Sequence, residues 1–215
     1  MEKRSWKEWI VRILILCVGL VIAHFGVTLF MLVNLGADPF NVFIQGLNHF
    51  TPFSHGITHM CICFLIIIVL LILDRSYIKA GTLICMALGG PIIDGFTWML
   101  GDMINGEMYL PLRLLIVTAA CLILAFGMTI VITSDAGTGP NDLVAVVISD
   151  KIRKNFGVIR VVVDVAFVVI GMALGGVFGV GTLVCAFLVG TAAGMFLPLN
   201  RQLVDRTLKK IMKEN

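Results

Sequence analysis

The sequence predicts an all-α membrane protein. Six transmembrane helices form two inverted three-span repeats, each with a short re-entrant or interfacial helix after its first span. Three observations predict this. The first is composition: the 215 residues are 59% hydrophobic and only 13% charged, with a mean hydropathy of +1.04. A soluble domain carries roughly 25% charged residues, so this chain has too few polar groups to cover a water-facing surface. The second is internal repetition, which is best sought before any fold is proposed. "GTLIC" at 81–85 returns as "GTLVC" at 181–185, and Leu88, Gly90 and Phe96 recur as Leu188, Gly190 and Phe196. The third is the placement of basic residues, taken up below.

A helix needs roughly 20 apolar residues to cross the bilayer at about 1.5 Å of rise each. The first candidate, 9–34, is longer than the 7–15-residue core of a signal peptide, so it reads as a retained span. The others are 56–73, 81–100, 111–133, 158–175 and 181–198. After the first span comes "GADPFNVFIQGLNHFTPFSH", and after the fourth "AGTGPNDLVAVVISDKIRKNF". Each holds a run of about a dozen helix-compatible residues, too short to cross. The chain therefore reads as a single membrane domain over 1–215. Repeat 1 covers about 9–100, repeat 2 about 111–198, and 199–215 is a cytoplasmic tail.

The repeat register can be followed through every element. At an offset of 101, Arg12 meets Arg113 and "FGVT" at 25–28 meets "FGMT" at 126–129. Gly36 and Pro39 meet Gly137 and Pro140, and Gly56 meets Gly157. By Gly81 the offset is 100, as one deleted loop residue would give. Three crossings per repeat is an odd number, so the second copy must enter the membrane upside down. Cytoplasmic loops collect Lys and Arg, and this provides a check. With both termini cytoplasmic, of the 16 Lys and Arg only Arg113 falls outside. Small residues then suit close helix approach: "GTL[IV]C" at the start of each repeat's third span, and "GMALG" (171–175) and "GTAAG" (190–194) between the last two spans.

The short helices are where chemistry is expected. Asp38 precedes Pro39 and Gly139 precedes Pro140. Asp and Gly serve at the N-cap, and Pro suits the first helical position because its missing N–H would be unpaired there. Two readings stay open. Each helix could lie in the interface as a linker. It could instead start inside the protein, where its free N–H groups and dipole hold a ligand, as in the broken helices of inverted-repeat transporters. Asp38, Asn41, Gly139, Asn141 and Asp142 are the candidate substrate-binding residues. Asp38 can cap its own helix, whereas Gly139 leaves an N-terminus freer for an anion, with Asp142 nearby opposing it. The sign of the substrate is open.

Ionisable residues at membrane depth are costly and mark function, which singles out Asp94, His24 and Asp164 for ion or proton coupling. Asp94 follows "GGP" in the third span, where Pro91 predicts a kink. Its repeat counterpart is Gly194. Asp164 lies four residues after Arg160, the spacing of a helix ion pair, so a structural pair competes with a proton site. The six cysteines (Cys17, Cys61, Cys63, Cys85, Cys121 and Cys185) fall in apolar runs and read as small hydrophobes. No metal and no cofactor are expected. No HExxH spacing, Ser-His-Asp set or phosphate loop points to an enzyme.

The pair "GADPFNV…GL" and "GTGPNDLV…", placed after the first and fourth of six spans, resembles the YczE/YyaS/YitT family of bacterial membrane proteins over most of 9–200. The resemblance implies a multi-pass protein of the bacterial plasma membrane and brings no substrate with it. The function read from the repeat and the two half-helices is a small secondary transporter of an unidentified solute, with a midplane site. The alternatives are a membrane component of a multi-subunit importer and an assembly factor. The expected partners are the lipid bilayer and a small-molecule or ion substrate. The net charge of +3 is too small to argue for nucleic acid, and a homodimer stays open.

Overall fold

A computed structural model describes residues 5–53 and 55–213. Lys3 and Arg4, two of the basic residues placed at the first span, lie outside the described residues. Eight α-helices and no strand occur among the described residues: α1 (Trp6–Leu32), α2 (Pro39–Asn48), α3 (His55–Leu73), α4 (Ala80–Leu100), α5 (Leu110–Ser134), α6 (Pro140–Ile152), α7 (Phe156–Ala173) and α8 (Val180–Lys213). A single 3₁₀ turn, Arg75–Tyr77, leads into α4. Five helices, namely α1, α4, α5, α7 and α8, are long and apolar enough to cross a membrane. By the same measure α3 contributes only the shorter apolar stretch Cys61–Leu73.

Local chemistry sets the helix ends. Pro39 and Pro140 open α2 and α6, as their missing N–H predicts. Asn155 caps α7, its Oδ1 accepting from Gly157 N at 2.8 Å and Val158 N at 3.4 Å. The helix α4 runs from Ala80 to Leu100 with Pro91 inside it. Past the expected end of the last span at 198, α8 continues through Pro198 to Lys213. Proline is tolerated in such helices when neighbours satisfy the freed carbonyl.

The core is built around α1 and α5. They run antiparallel and cross on glycine. A Cβ on Gly19 would stand 2.9 Å from the Gly127 carbonyl oxygen, and one on Gly127 would stand 2.7 Å from the Gly19 oxygen. Gly26 faces the Ala120 oxygen at 2.7 Å. In the 101 register Gly26 is the counterpart of Gly127 and Gly19 of Ala120. Equivalent positions therefore exchange partners, as across a twofold axis perpendicular to both helices.

Polar contacts obey the same exchange. Arg12 NH1 donates to the Ser134 carbonyl at 2.9 Å, while Arg113 Nε donates to Val33 O and NH2 to Asn34 O, both at 2.8 Å. Each repeat's arginine thus neutralises the carbonyl end of the other repeat's first helix, where a cation is favoured. After those ends, Asn34 and Asp135 take the left-handed conformation (φ 49° and 56°). Gly81 N then donates to Ala136 O and Gly181 N to Leu35 O, both at 2.9 Å. The phenylalanines repeat too: Phe25 meets Phe96 edge-on at 5.1 Å, and Phe126 meets Phe196 at 5.5 Å. The repeated "GTL[IV]C" therefore does more than allow close approach. In each half it receives the chain entering the other half's short helix.

One small-residue expectation fails in part. Gly190 and Gly194 do seat α8 on α7, and a Cβ on Gly157 would stand 2.5 Å from the Gly190 oxygen and 2.7 Å from Gly194 Cα. Gly171 serves a different helix: its Cβ position is 2.6 Å from the Phe43 nitrogen of α2. Gly175 lies beyond α7 with φ +94°, facing the His49 ring.

Candidate functional site: an ion cluster between α6 and α7

The site begins with the chain entering α6. Gly137 (φ +148°) turns the backbone, and Thr138 N donates to Thr82 Oγ1 at 3.4 Å. Gly139 stands at the N-cap with no side-chain hydrogen bond, and Asp142 lies in the first turn. Asp142 Oδ1 accepts from Arg160 NH1 at 2.5 Å. Arg160 Nε in turn donates to Asp164 Oδ2 at 2.9 Å. Asp164 is fully buried and Arg160 nearly so, while the Asp142 side chain keeps about a fifth of its surface exposed. Asp164 lies eight residues into α7, roughly 12 Å from that helix's start. Its Oδ1 is buried without a hydrogen-bond partner, and so is Thr138 Oγ1.

The chain entering α2 is built alike but finished differently. Gly36 (φ +129°) makes the turn, and Thr182 Oγ1 donates to Ala37 O at 2.6 Å. Here Asp38 is occupied as expected. Its Oδ1 accepts from Asn41 N at 3.2 Å and its Oδ2 from Asn41 Nδ2 at 2.5 Å. Phe40 packs edge-on against the His59 ring at 5.3 Å and against Phe167 of α7 at 5.3 Å.

The start of α6 is bonded into the cluster through Asp142, so that two carboxylates, Asp142 and Asp164, flank the one guanidinium of Arg160. His24 Nδ1 lies 2.8 Å from the Leu20 carbonyl. A carbonyl only accepts, so Nδ1 carries the proton and Nε2 is left toward Gly89 of α4, whose Cβ position is 2.8 Å away.

Of the residues singled out in the sequence, Asp142 and Asp164 are brought together on Arg160, while the bonds of Asp38 stay within α2 and that of His24 within α1. Asn41 holds Asp38 in place. Asn141 sits beside Gly139, its Oδ1 3.1 Å from that residue's Cβ position. Asp94 is not gathered in. It is exposed and lies nine residues after the buried Cys85, half a turn round α4 from the face that packs on α1.

Sequence reasoning missed two things. Arg160 was seen only as the helix partner of Asp164, because nothing in the spacing announces a bond to a residue 18 positions earlier. The hydroxyls of Thr82 and Thr182 were missed because the motif containing them was read for its glycine. Their recurrence at equivalent positions was the available signal.

The model of a family of unknown function, DUF6198, matches residues 10–198. The chain belongs to that family. It is similar to the "Uncharacterized membrane protein YczE" of Bacillus subtilis (strain 168), 26% identical over 207 residues covering 93% of this chain and 91% of the relative. It is similar also to the "Uncharacterized protein YyaS" of the same organism, 24% identical over 182 residues, covering 85% of this chain and 90% of the relative. An "Uncharacterized protein" of Haemophilus influenzae is 27% identical over 192 residues, covering 89% of this chain and 86% of the relative. No solved structure matches the chain. The resemblance to YczE and YyaS drawn from the two Gly-x-x-Pro loops therefore holds across most of the chain, and the protein is a membrane protein of the same kind.

Proposed function

We propose that the chain is a six-span secondary transporter of the bacterial plasma membrane, with both termini cytoplasmic, that moves a small cationic solute or protons past the Asp142–Arg160–Asp164 cluster. One observation carries the reading: Asp164, fully buried halfway along a membrane helix, keeps one carboxylate oxygen unpartnered while Arg160 ties the other to the start of α6. An ionisable group at that depth is expensive and is kept for function. With Asp142 and Asp164 on a single Arg160, the formal charge of the cluster is negative, which favours a cation over the anion that a bare helix N-terminus would attract. The antiparallel α1–α5 crossing, with equivalent residues exchanging partners, supports the inverted repeat. The placement of the basic residues supports α3 as the sixth crossing.

Purified protein in liposomes loaded with a pH-sensitive dye should respond to a panel of Na⁺, K⁺, primary amines and quaternary ammonium ions. At least one member should drive a proton flux that empty liposomes and Asp142→Asn protein lack. A folded wild-type protein silent to the whole panel would sink the reading. Topology is tested separately. Single cysteines probed with an impermeant thiol reagent from outside should label in 101–110 and stay protected in 74–80, and the reverse pattern would end the inverted-repeat argument.

A further inference from the structure

Beyond Pro198, α8 stays seated on the bundle. Asn200 Nδ2 donates to Phe126 O at 3.1 Å and to Thr129 Oγ1 at 2.7 Å, and Val204 and Leu208 are buried. Asn200, Val204 and Leu208 are spaced four apart, so they share one face of the helix. The rest of the helix surface there is charged: Arg201, Asp205, Arg206, Lys209 and Lys210 are all exposed. Between 199 and 213 the sequence holds five basic residues against one acidic residue, Asp205, and Lys151, Arg153 and Lys154 stand just before α7.

Where α7 begins beside α8 there is a cavity of about 420 Å³, within the size range of small-molecule sites. Its floor is apolar, formed by Phe156 of α7 with Gly194, Leu197 and Pro198 of α8. Its mouth is polar, formed by the α7 cap Asn155 with Arg201, Gln202 and Asp205. Depth in the membrane accounts for both characters. Counted from Val180, Gly194 lies roughly 21 Å along α8 and Arg201 roughly 32 Å. The hydrocarbon layer is about 30 Å thick. With α8 crossing from its start, the floor lies among acyl chains and the mouth among headgroups. Arg201 and Asp205 are one turn apart on α8, yet neither makes an ion pair or hydrogen bond among the described residues. The guanidinium therefore keeps its N–H donors for a group from outside the chain.

We infer that this cavity seats an anionic phospholipid of the phosphatidylglycerol type, its phosphate on Arg201 and a headgroup hydroxyl on Asp205. A planar guanidinium matches a phosphate with two parallel hydrogen bonds. Asp205 would repel the phosphate itself, but it stands one turn further from the hydrocarbon, where it accepts from a glycerol hydroxyl. The basic residues before α7 and along the end of α8 supply the positive field that draws an anionic lipid to this level. The apolar floor takes the upper part of an acyl chain. That floor decides between a lipid and a soluble phosphate, which has nothing to place on it. The inference needs only that α8 crosses the bilayer, so it stands whatever the chain transports.

Native mass spectrometry of the whole protein in detergent, with lipids of identical acyl chains, tests the seat. Wild type should retain one phosphatidylglycerol in the presence of excess phosphatidylcholine. Arg201→Gln should weaken that retention at least about fivefold, the share of one basic residue at a charged lipid surface. Arg206→Gln removes the same charge outside the cavity lining, where solvent screens it, and should stay within about twofold of wild type. Gln202→Trp fills the mouth without changing the charge and should also displace the lipid. All three side chains are exposed, so none of these changes disturbs the core. Equal losses in Arg201→Gln and Arg206→Gln would reduce the binding to a general attraction by the basic tail and overturn the seat. Retention of phosphatidylcholine or phosphatidylethanolamine as firmly as phosphatidylglycerol would overturn the anionic headgroup. Glycerol phosphate, which lacks acyl chains, binding as tightly as the lipid would overturn the lipid assignment.

Discussion

Replacing Arg160 by leucine should cost the protein several kcal/mol of stability, and removing Asp164 as well should restore part of it. Arg160 makes both of the ion pairs in the cluster, at 2.5 Å to Asp142 and 2.9 Å to Asp164. Without it, Asp164 is a fully buried carboxylate with no cation and no remaining hydrogen-bond partner among the described contacts. Breaking a buried pair by deleting one member typically costs about 3–5 kcal/mol, because the other charge is left uncompensated. Arg160→Leu should therefore lower the melting temperature sharply in detergent, read as loss of the monodisperse peak after heating. In Arg160→Leu with Asp164→Leu the stranded buried charge is gone, and two apolar side chains fill the space. Recovery stays partial because Asp142 keeps its charge, although its side chain is about 20% exposed and can hydrate. Equal melting temperatures for wild type and Arg160→Leu would show that water reaches the cluster and that its charges are not held at membrane cost. Arg160→Lys is also expected to be poor, since one ammonium cannot reproduce the two-sided fork of the guanidinium.

Much of this arrangement was legible in the sequence, for reasons that differ by element. The helix starts at Pro39 and Pro140 could be read because proline's missing N–H is a local constraint. The register linking Arg12 with Arg113 and Gly36 with Gly137 could be read because duplication leaves identities wherever a contact is reused. What many repeated residues touch could not be read, since those contacts run to the opposite repeat. Arg12 reaches Ser134, Thr182 reaches Ala37, and Gly171 approaches α2 and not α8. Asp94 shows the limit most clearly. Its sequence neighbours pointed to a carboxylate beside a kink inside the bundle, but α4 turns Asp94 away from α1. Which face of an apolar helix is covered depends on partners that its own residues do not encode. The Asp142–Arg160 pair was hidden for the same reason, whereas Arg160–Asp164 is a one-turn spacing visible in any helix.

Gly137→Ala and Gly36→Ala should be the most damaging conservative changes outside the ion cluster. Both glycines hold φ values that L-residues rarely adopt, +148° and +129°, and a non-glycine residue forced there costs on the order of 1–3 kcal/mol. Sterics add to the strain. A Cβ on Gly36 would stand 2.6 Å from Thr182 Oγ1 and 3.0 Å from Gly179 Cα, and one on Gly137 would stand 2.6 Å from the Gly81 carbonyl carbon. The neighbours cannot withdraw, because hydrogen bonds hold them: Gly181 N to Leu35 O, Gly81 N to Ala136 O, and Thr182 Oγ1 to Ala37 O. The added methyl must therefore push the entering chain off its dock, displacing the start of α2 or α6. The two changes should separate in their consequences. Gly36→Ala moves Asp38, whose carboxylate caps its own helix by accepting from Asn41, so the expected loss is mainly stability. Gly137→Ala shifts Asp142 relative to Arg160, so cation-driven proton flux should fall further than the melting temperature accounts for. Thr82→Val and Thr182→Val provide the control, removing the receiving hydroxyl with little change of volume and no backbone strain. They should reproduce a smaller share of each defect, about 1 kcal/mol apiece. Melting curves and liposome flux on all four proteins decide the matter. If Gly137→Ala melted and transported like wild type, the docking of each short helix on the opposite repeat would not be what positions the site.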